Sequence, residues 1–241
     1  MIPKKIHQTY LKSDHKFFVA SNNIVYLNKD HEYCFYDDGD CYRYIETYYG
    51  HEYSKAWLSI NPNYGAARAD FFRYLLMYRE GGIYLDIKSG CDFPFSEVLQ
   101  ESDSYILSYW DKTLYPGEDT IHKGFWSKNS SMWEFGEFMQ WFIICEPKHP
   151  FLLILINKVL DNIKNYDDKF EYLGKFNIYA NTGPIVYSNT IDPLRTKYPN
   201  RIINIERELG IHYSPFLGDF SHGNFYDKKH YTEVNEPLIL K

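Results

Sequence analysis

The sequence predicts an α/β protein whose central sheet is mostly parallel. Apolar, β-rich runs alternate with helical segments along the 241 residues, and this order of elements typically produces a parallel sheet. The clearest unit is a helix over 65–80, a stop at Gly81 and Gly82, and a strand that begins at Ile83. A hydrophobic content of 44% is enough for the core of one domain.

The central helix and strand follow from local chemistry. The helix contains no proline and consists mainly of good helix formers, and glycine closes a last turn because it tolerates the left-handed conformation. After the glycines, side chains alternate with the period of a strand: Ile83, Leu85 and Ile87 against Tyr84, Asp86 and Lys88. We therefore expect the aliphatic set to enter the core and the polar set to share the opposite face.

The other elements are predicted in order from the same patterns. We expect strands in the apolar, β-rich runs over 5–10, 24–27, 32–36, 105–109, 138–145 and 201–205. We expect helices over 42–49, 54–60 and 150–163, after residue 95 as far as 101, and after Thr182, where Thr182 is a candidate cap and Pro184 suits the first turn. The long segment 111–131 is predicted to be a loop, and a loop of this length is usually functional.

Composition narrows the class of partner. The net charge is −6 and no basic run is present, which argues against a nucleic-acid partner. No segment approaches the ~20 apolar residues of a membrane span, and the N-terminus does not resemble a signal peptide, so the sequence predicts a cytoplasmic location. The four cysteines lack metal-site spacing and are expected to be reduced, although Cys34 and Cys41 are close enough in sequence to pair.

Three charged residues of the central unit are unusual for a surface. Asp70 and Arg73 share a helix face within an otherwise apolar helix, so they are expected to be buried. Buried charges are either paired structurally or functional, and both alternatives fit here. Asp86 ends an apolar strand just before Ser89, at the edge where open α/β sheets bind ligands, although an aspartate that starts a turn is the simpler alternative.

Together these motifs resemble glycosyltransferase family 32. Asp70-x-x-Arg73 followed by Gly81-Gly82-Ile83-Tyr84-Leu85-Asp86 is similar to the family's sugar-binding region. Residues 2–9 resemble its opening strand, and the segments 148–150 and 182–184 resemble its later landmarks. The resemblance covers most of the chain. It implies a GT-A fold, a single Rossmann-like domain over 1–241. The tail 210–241 has little periodicity and is expected to fold over the donor site, with fraying as the alternative.

The resemblance also implies an activity. Members of the family move a hexose from a nucleoside diphosphate sugar, UDP- or GDP-linked, to a glycan or protein acceptor and retain the anomeric configuration. By position, Asp70 and Arg73 would bind the donor sugar and its glycosidic or phosphate oxygens. Asn181 is a candidate contact on the second side of the pocket, with a helix-cap role as the alternative.

Further residues are expected to bind the donor. His7, Gln8 and Thr9 offer hydrogen-bond donors and acceptors for the base at the end of the first strand, and polar residues of an edge strand are the simpler alternative. Seven candidate donor-binding residues result, namely His7, Gln8, Thr9, Tyr84, Asp86, Lys88 and Gly183.

One residue departs from the family pattern. The family carries Asp-x-Asp, and this chain has Asp86-Ile87-Lys88. The resemblance implies Mn²⁺ or Mg²⁺, but an ammonium group has no lone pair with which to bind a metal. Either Asp86 and a tail residue such as His230 hold the metal, or Lys88 meets the diphosphate in its place. The alternative function is a non-catalytic nucleotide-sugar or carbohydrate-binding relative with a degenerate motif.

Overall fold

The computed structural model describes residues 1–10, 18–111, 113–114, 130–167, 175–213 and 236–240. Its main sheet has six strands in the order β2-β1-β3-β6-β5-β7, and β4 pairs with β8 in a second, two-stranded sheet. The eight strands are β1 Lys5–Thr9, β2 Glu32–Tyr36, β3 Gly82–Leu85, β4 Gly90–Cys91, β5 Tyr105–Leu107, β6 Phe142–Cys145, β7 Arg201–Ile202 and β8 Ile211–His212.

Helices cover both faces of the main sheet. In the described part of the chain they are α1 Phe18–Leu27, α2 Asp38–Tyr49, α3 His51–Ser59, α4 Gly65–Glu80, α5 Phe95–Val98, α6 Met132–Phe135, α7 Pro150–Lys164, α8 Lys175–Asn181, α9 Pro184–Ile191 and α10 Ile205–Leu209. A short 3₁₀ helix, Asp192–Leu194, follows α9.

Five strands of the main sheet run in one direction and β6 runs against them. β1 pairs in parallel with β2 and β3, and β5 pairs in parallel with β7, whereas β6 is antiparallel to both β3 and β5. The sheet is therefore mostly parallel, and the predicted α/β GT-A architecture is confirmed. Because β6 is reversed, the start of β6 lies beside the end of β3, with Leu85 opposite Phe142.

Two hydrophobic clusters fill the two sides of the sheet. Tyr84 of β3 belongs to the larger cluster, together with α4, α7 and α9. Ile83 and Leu85 belong to the other cluster, together with residues of α1, α5 and α10. Both faces of β3 are thus buried, so the expectation that its polar set would leave the core was wrong for Tyr84, which is only 1% exposed.

The central helix has the bounds that the sequence predicted, and both glycines after it are required by geometry. Gly81 and Gly82 have φ angles of 63° and 93°, which other residues rarely adopt. A Cβ on Gly82 would lie 2.6 Å from the carbonyl oxygen of Lys5, and one on Gly81 would lie 2.6 Å from the nitrogen of Pro147. The close approach lets β3 begin directly against β1.

Several local predictions were wrong. Residues 24–27 end α1 instead of forming a strand, because Ser21, Ile24 and Asn28 are buried at helical spacing. β3 ends at Leu85, and the chain turns so that the Ser89 N–H donates to the Asp86 carbonyl at 2.9 Å. Lys88 therefore lies in a turn and does not share a strand face with Asp86.

The later strands are shorter than predicted. β6 begins at Phe142 and not at 138, although an isolated bridge joins Phe138 to Tyr109. β7 ends at Ile202, and Ile205 already belongs to α10, whose cap Asn204 accepts a hydrogen bond from the Arg207 N–H. The predicted helix over 150–163 is confirmed as α7.

Two parts of the predicted tail fall within the described residues. β8 pairs with β4, which begins one residue after Ser89, and Leu238 is fully buried while Ile239 bridges to Ile60. Residues 214–235 lie outside the described part, so the prediction that the tail covers the donor site stays a prediction, as does the single domain. None of the helices in the described ranges combines the length and the hydropathy of a membrane span. All four cysteines are free, as expected.

Candidate functional site

Asp70 and Arg73 form a buried ion pair on α4. Arg73 Nη2 lies 3.0 Å from Asp70 Oδ1, and the two side chains are 4% and 5% exposed. The same Asp70 oxygen accepts from the Gln140 amide at 2.8 Å, and Asp70 Oδ2 accepts from the Thr182 hydroxyl at 2.9 Å. Both oxygens of Asp70 are thus bonded to the protein, which fits the structural alternative raised by the sequence.

Arg73 joins this pair to Asp86 at the end of β3. Its Nη1 lies 3.2 Å from Asp86 Oδ1 and donates to the Gln140 carbonyl at 2.8 Å. The guanidinium carbon lies 4.9 Å from the centre of the Tyr84 ring, a cation–π distance. The Arg73 cation is therefore enclosed by α4, β3 and the chain that leads into β6.

Asp86 is the member of this group that reaches solvent. Its side chain is 28% exposed, and its Oδ1 accepts from the Tyr84 hydroxyl at 3.3 Å as well as contacting Arg73. Its other oxygen, Oδ2, has no hydrogen bond to any described residue. One carboxylate oxygen is therefore held in place while the other remains available for a ligand.

Burial sets the electrostatics of the three charges. It raises the pKa of Asp70 and of Asp86 above the usual range of a carboxyl group, while the Arg73 charge opposes the rise at both. Burial alone would lower the pKa of Arg73, but Asp86, Tyr84 and Asp70 outweigh it and raise that pKa. Arg73 therefore stays a cation, and the position of the two carboxylates depends on it.

Sequence reasoning missed residues 140 and 141. Gln140 contacts both members of the buried pair, and the Trp141 carbonyl accepts from the Asp86 N–H at 2.8 Å. Residues 140 and 141 lie beside Asp86 because β6 is antiparallel to β3. No local sequence pattern predicts this pairing. The available signal was a single glutamine inside the apolar run 138–144.

The segment 181–183 reaches the site through a residue other than the one predicted. The Asn181 amide donates to the carbonyl and side-chain oxygens of Asn177, both at 2.8 Å, within its own helix. Thr182 contacts Asp70 instead, and α9 has Gly183 as its N-cap, so the cap role expected of Thr182 was wrong. A Cβ on Gly183 would lie 3.5 Å from Asp70 Oδ2, so Gly183 packs beside the site.

The three polar residues of β1 are bonded inside the protein. Gln8 donates to the Asp86 carbonyl at 3.2 Å and accepts from Ser21 and Tyr33, both at 2.9 Å. Thr9 donates to the Tyr36 carbonyl at 2.9 Å, and His7 Nδ1 lies 3.3 Å from the Tyr36 hydroxyl. Gln8 thus supports the Asp86 turn, and base binding by these three residues stays a prediction.

Lys88 is 8% exposed and lies two residues beyond Asp86. Burial lowers the pKa of Lys88, and the Asp86 charge opposes this. The Asp86 charge thus favours the protonated form of Lys88 against the effect of burial.

The described residues do not fit a divalent cation. Mn²⁺ and Mg²⁺ prefer several oxygen ligands, and no group of three His, Cys, Asp or Glu in the described ranges could hold one. Asp86 offers one unbonded oxygen, with the Arg73 cation 3.2 Å from its other oxygen. His230 and most of the predicted loop 111–131 lie outside the described residues.

Comparisons with known proteins find similarity to glycosyltransferases. Residues 9–105 match the family model described as a glycosyltransferase sugar-binding region containing a DXD motif. Mannosyl phosphorylinositol ceramide synthase SUR1 of Saccharomyces cerevisiae is 27% identical over 193 residues, which cover 78% of this chain and 41% of that protein. Inositol phosphoceramide mannosyltransferase 3 of Schizosaccharomyces pombe is 33% identical over 103 residues, covering 41% of this chain and 27% of that protein.

A third relative matches along nearly the whole chain. Initiation-specific alpha-1,6-mannosyltransferase of Candida albicans is 29% identical over an alignment of 258 residues, covering 99% of this chain and 62% of that protein. The chain therefore spans less than two thirds of the length of each of these relatives.

A solved structure shares the fold. The chain titled PaToxG Glycosyltransferase superposes with a TM-score of 0.56 at 15% identity, over 81% of this chain and 70% of that one. At this identity the likeness concerns the fold alone. The matched region and the named relatives confirm the resemblance drawn from the motifs. This chain is thus similar to glycosyltransferase family 32, and its residues 9–105 match the model of the sugar-binding region.

Proposed function

We propose that this chain is a retaining glycosyltransferase domain that transfers a hexose, specifically mannose, from a nucleoside diphosphate sugar. The proposal rests on the hydrogen bonding of the Asp86 carboxylate at the end of β3. Arg73 and Tyr84 hold Oδ1, and Oδ2 has no hydrogen bond to a described residue. A carboxylate fixed in this way accepts hydrogen bonds from hydroxyl groups of a ribose or a sugar.

The residues around Asp86 have separate tasks in this proposal. Asp86 orients the donor through Oδ2, and Lys88 offers positive charge to the diphosphate leaving group as a point charge. The Arg73 guanidinium is already bonded to Ala69, Gln140, Asp70 and Asp86, so it acts by holding Asp86. Fixed charges near the leaving group stabilise the charge that develops during transfer.

The donor sugar is proposed from the relatives. The names of the three relatives each refer to mannosyl transfer, and two of them also refer to inositol and ceramide. We therefore propose a mannosyl donor, with UDP- and GDP-linked forms both to be tested. For the acceptor we propose a ring hydroxyl of a glycan or a glycoprotein, with an inositol ring as the comparison in the same assay. The cytoplasmic location stays a prediction.

A binding role without catalysis is the second candidate. The observation in its favour is Lys88, which stands where the family has a second aspartate and is 8% exposed. In that case the chain would bind a nucleotide sugar and leave it intact. Hydrolysis of the donor separates the two functions, because many transferases slowly transfer to water.

A thermal-shift panel tests the proposal first. Nucleoside diphosphates and their mannose and glucose conjugates are added singly, with and without manganese, and a specific ligand raises the unfolding midpoint by mass action. The best donor is then incubated with the protein, and the anomeric configuration of the product is determined by NMR. Stabilisation with an α-configured product from an α-linked donor supports the proposal. Binding without turnover supports the second candidate, and no stabilisation by any nucleotide contradicts both.

A further inference from the structure

We propose that Gln140 is a positioning residue that fixes the Arg73–Asp86 contact, and hence the donor-binding carboxylate. The inference rests on the proposed function. Gln140 lies outside both the matched region 9–105 and the motifs read from the sequence. It is 7% exposed and precedes β6 by two residues.

Gln140 bonds both members of the buried ion pair with two different groups. Its backbone carbonyl oxygen accepts a hydrogen bond from Arg73 Nη1 at 2.8 Å, and its side-chain amide donates one to Asp70 Oδ1 at 2.8 Å. Arg73 Nη1, which donates to the Gln140 backbone carbonyl, also lies 3.2 Å from Asp86 Oδ1. The position of the Gln140 backbone therefore bears directly on where the guanidinium meets Asp86.

The orientation of the amide is fixed by chemistry. An ionised carboxylate only accepts hydrogen bonds, so the NH₂ group of Gln140 must face Asp70. Its second N–H donates to the Tyr74 hydroxyl at 2.6 Å, and that hydroxyl donates onward to the Thr182 carbonyl at 2.8 Å. Each hydrogen bond in this buried network therefore has a fixed direction, so the network favours one arrangement of the side chains.

The next residue bonds the third charged group. The Trp141 carbonyl accepts from the Asp86 N–H at 2.8 Å, one step beyond the Leu85–Phe142 pair of the antiparallel ladder. Residues 140 and 141 thus bond Arg73, Asp70 and the Asp86 backbone. A change in the Gln140 side chain is therefore expected to alter the placement of the Asp86 carboxylate without touching the ligand.

Two substitutions separate the amide bond from simple packing. Gln140→Glu keeps the shape and places a second carboxyl group beside Asp70, in contact also with the Tyr74 hydroxyl. When that group is protonated it can donate to Asp70 as the amide does. When it is ionised it repels the Asp70 carboxylate, which pairs with Arg73, and so disturbs the guanidinium that also holds Asp86. Gln140→Met keeps most of the volume and removes the donor at every pH.

The test is the affinity for a nucleoside diphosphate, measured by calorimetry from pH 5 to pH 8. The expected loss for Gln140→Met is about tenfold at every pH, the size of a lost hydrogen bond to a charged group. For Gln140→Glu we expect nearly wild-type affinity at pH 5 and about tenfold weaker binding at pH 8. Tyr49→Phe is the matched control, because it removes a hydroxyl bond to the Leu75 carbonyl of the same helix.

The outcomes distinguish this inference from the proposed function. Wild-type affinity in both Gln140 variants overturns the inference, and so does an equal loss in Tyr49→Phe, which indicates general loosening of α4. A loss in Gln140→Glu that is the same at pH 5 and pH 8 also overturns it. If one Gln140 variant fails to fold, the other decides. A wild-type protein that binds no nucleoside diphosphate overturns the proposed function itself.

Discussion

Arg73 Nη1 lies 3.2 Å from Oδ1 of Asp86, while Nη2 of the same guanidinium lies 3.0 Å from Asp70. One buried cation thus connects a carboxylate that is bonded entirely within the protein to one that reaches solvent. Without this cation the Asp70 and Asp86 carboxylates would repel each other. This arrangement divides the motif into a supporting part, Asp70 and Arg73, and a part that meets the ligand, Asp86.

The first prediction is that Asp70 and Arg73 act as a coupled unit. Arg73→Met leaves two carboxylates without their shared cation, so its free energy of unfolding should fall by about 3–5 kcal/mol. Asp70→Asn should cost less, because Arg73 keeps its contacts with Asp86 and Gln140. The double variant should lose less than the two single losses together. Urea unfolding of the four proteins measures this, and simple additivity would show that the residues are independent.

The second prediction concerns Lys88 and the metal. Lys88 and Arg73 both add positive charge around Asp86, so we expect a nucleoside diphosphate to bind with equal affinity in EDTA and in manganese. Lys88→Ala should weaken that binding by about tenfold in both buffers. Calorimetric titration in the two buffers provides the measurement.

The matched control for this experiment is Lys158→Ala, which removes an exposed lysine from α7. Binding that requires manganese, with Lys88→Ala equal to the control, would contradict the prediction. It would favour the alternative in which Asp86 and a tail residue such as His230 hold the cation. Lys88→Asp restores the usual motif and is expected to introduce a dependence on manganese.

The third prediction is a pH dependence that arises from His7. Burial lowers the pKa of His7 to about 4, whereas an unfolded histidine titrates near 6.5. The fold therefore favours the neutral ring, and the stability that this provides is complete above pH 6.5 and is lost as the pH falls to about 4. The shift corresponds to roughly 3 kcal/mol.

His7→Gln should remove that part of the acid sensitivity. Urea unfolding at pH 7 and at pH 4.5 is compared for the two proteins, and the wild type should lose more stability between these values. Other groups titrate over the same range, so only the difference between the proteins is assigned to His7. Equal losses would show that the ring is not the cause.

The sequence was most informative where structure is local. The bounds of α4, the two glycines and the start of β3 follow from propensity, capping and period, and all three were predictable. The position of Lys88 could not be predicted. The alternating pattern of the sequence continues through Ile87, but the backbone already turns at Asp86. Alternation alone does not show where a strand ends.

The partners of the motif were the least predictable part. Gln140 reaches Arg73 only because β6 lies reversed beside β3, and Thr182 reaches Asp70 only because α8 ends there. Both contacts join residues far apart in sequence. A pattern within one segment cannot specify such pairings, so sequence reasoning chose Asn181 where Thr182 makes the contact.

The most direct test of the account is the effect of Asp86→Asn on donor binding. The change keeps size and removes the charge at Oδ2, the oxygen without a hydrogen bond to a described residue. Calorimetric titration of the nucleotide sugar chosen by the thermal-shift panel is run on wild type, Asp86→Asn and the exposed control Asp161→Asn. We predict loss of measurable binding in Asp86→Asn alone, with its unfolding still cooperative. Wild-type affinity in Asp86→Asn would contradict the assignment of this carboxylate as the donor site.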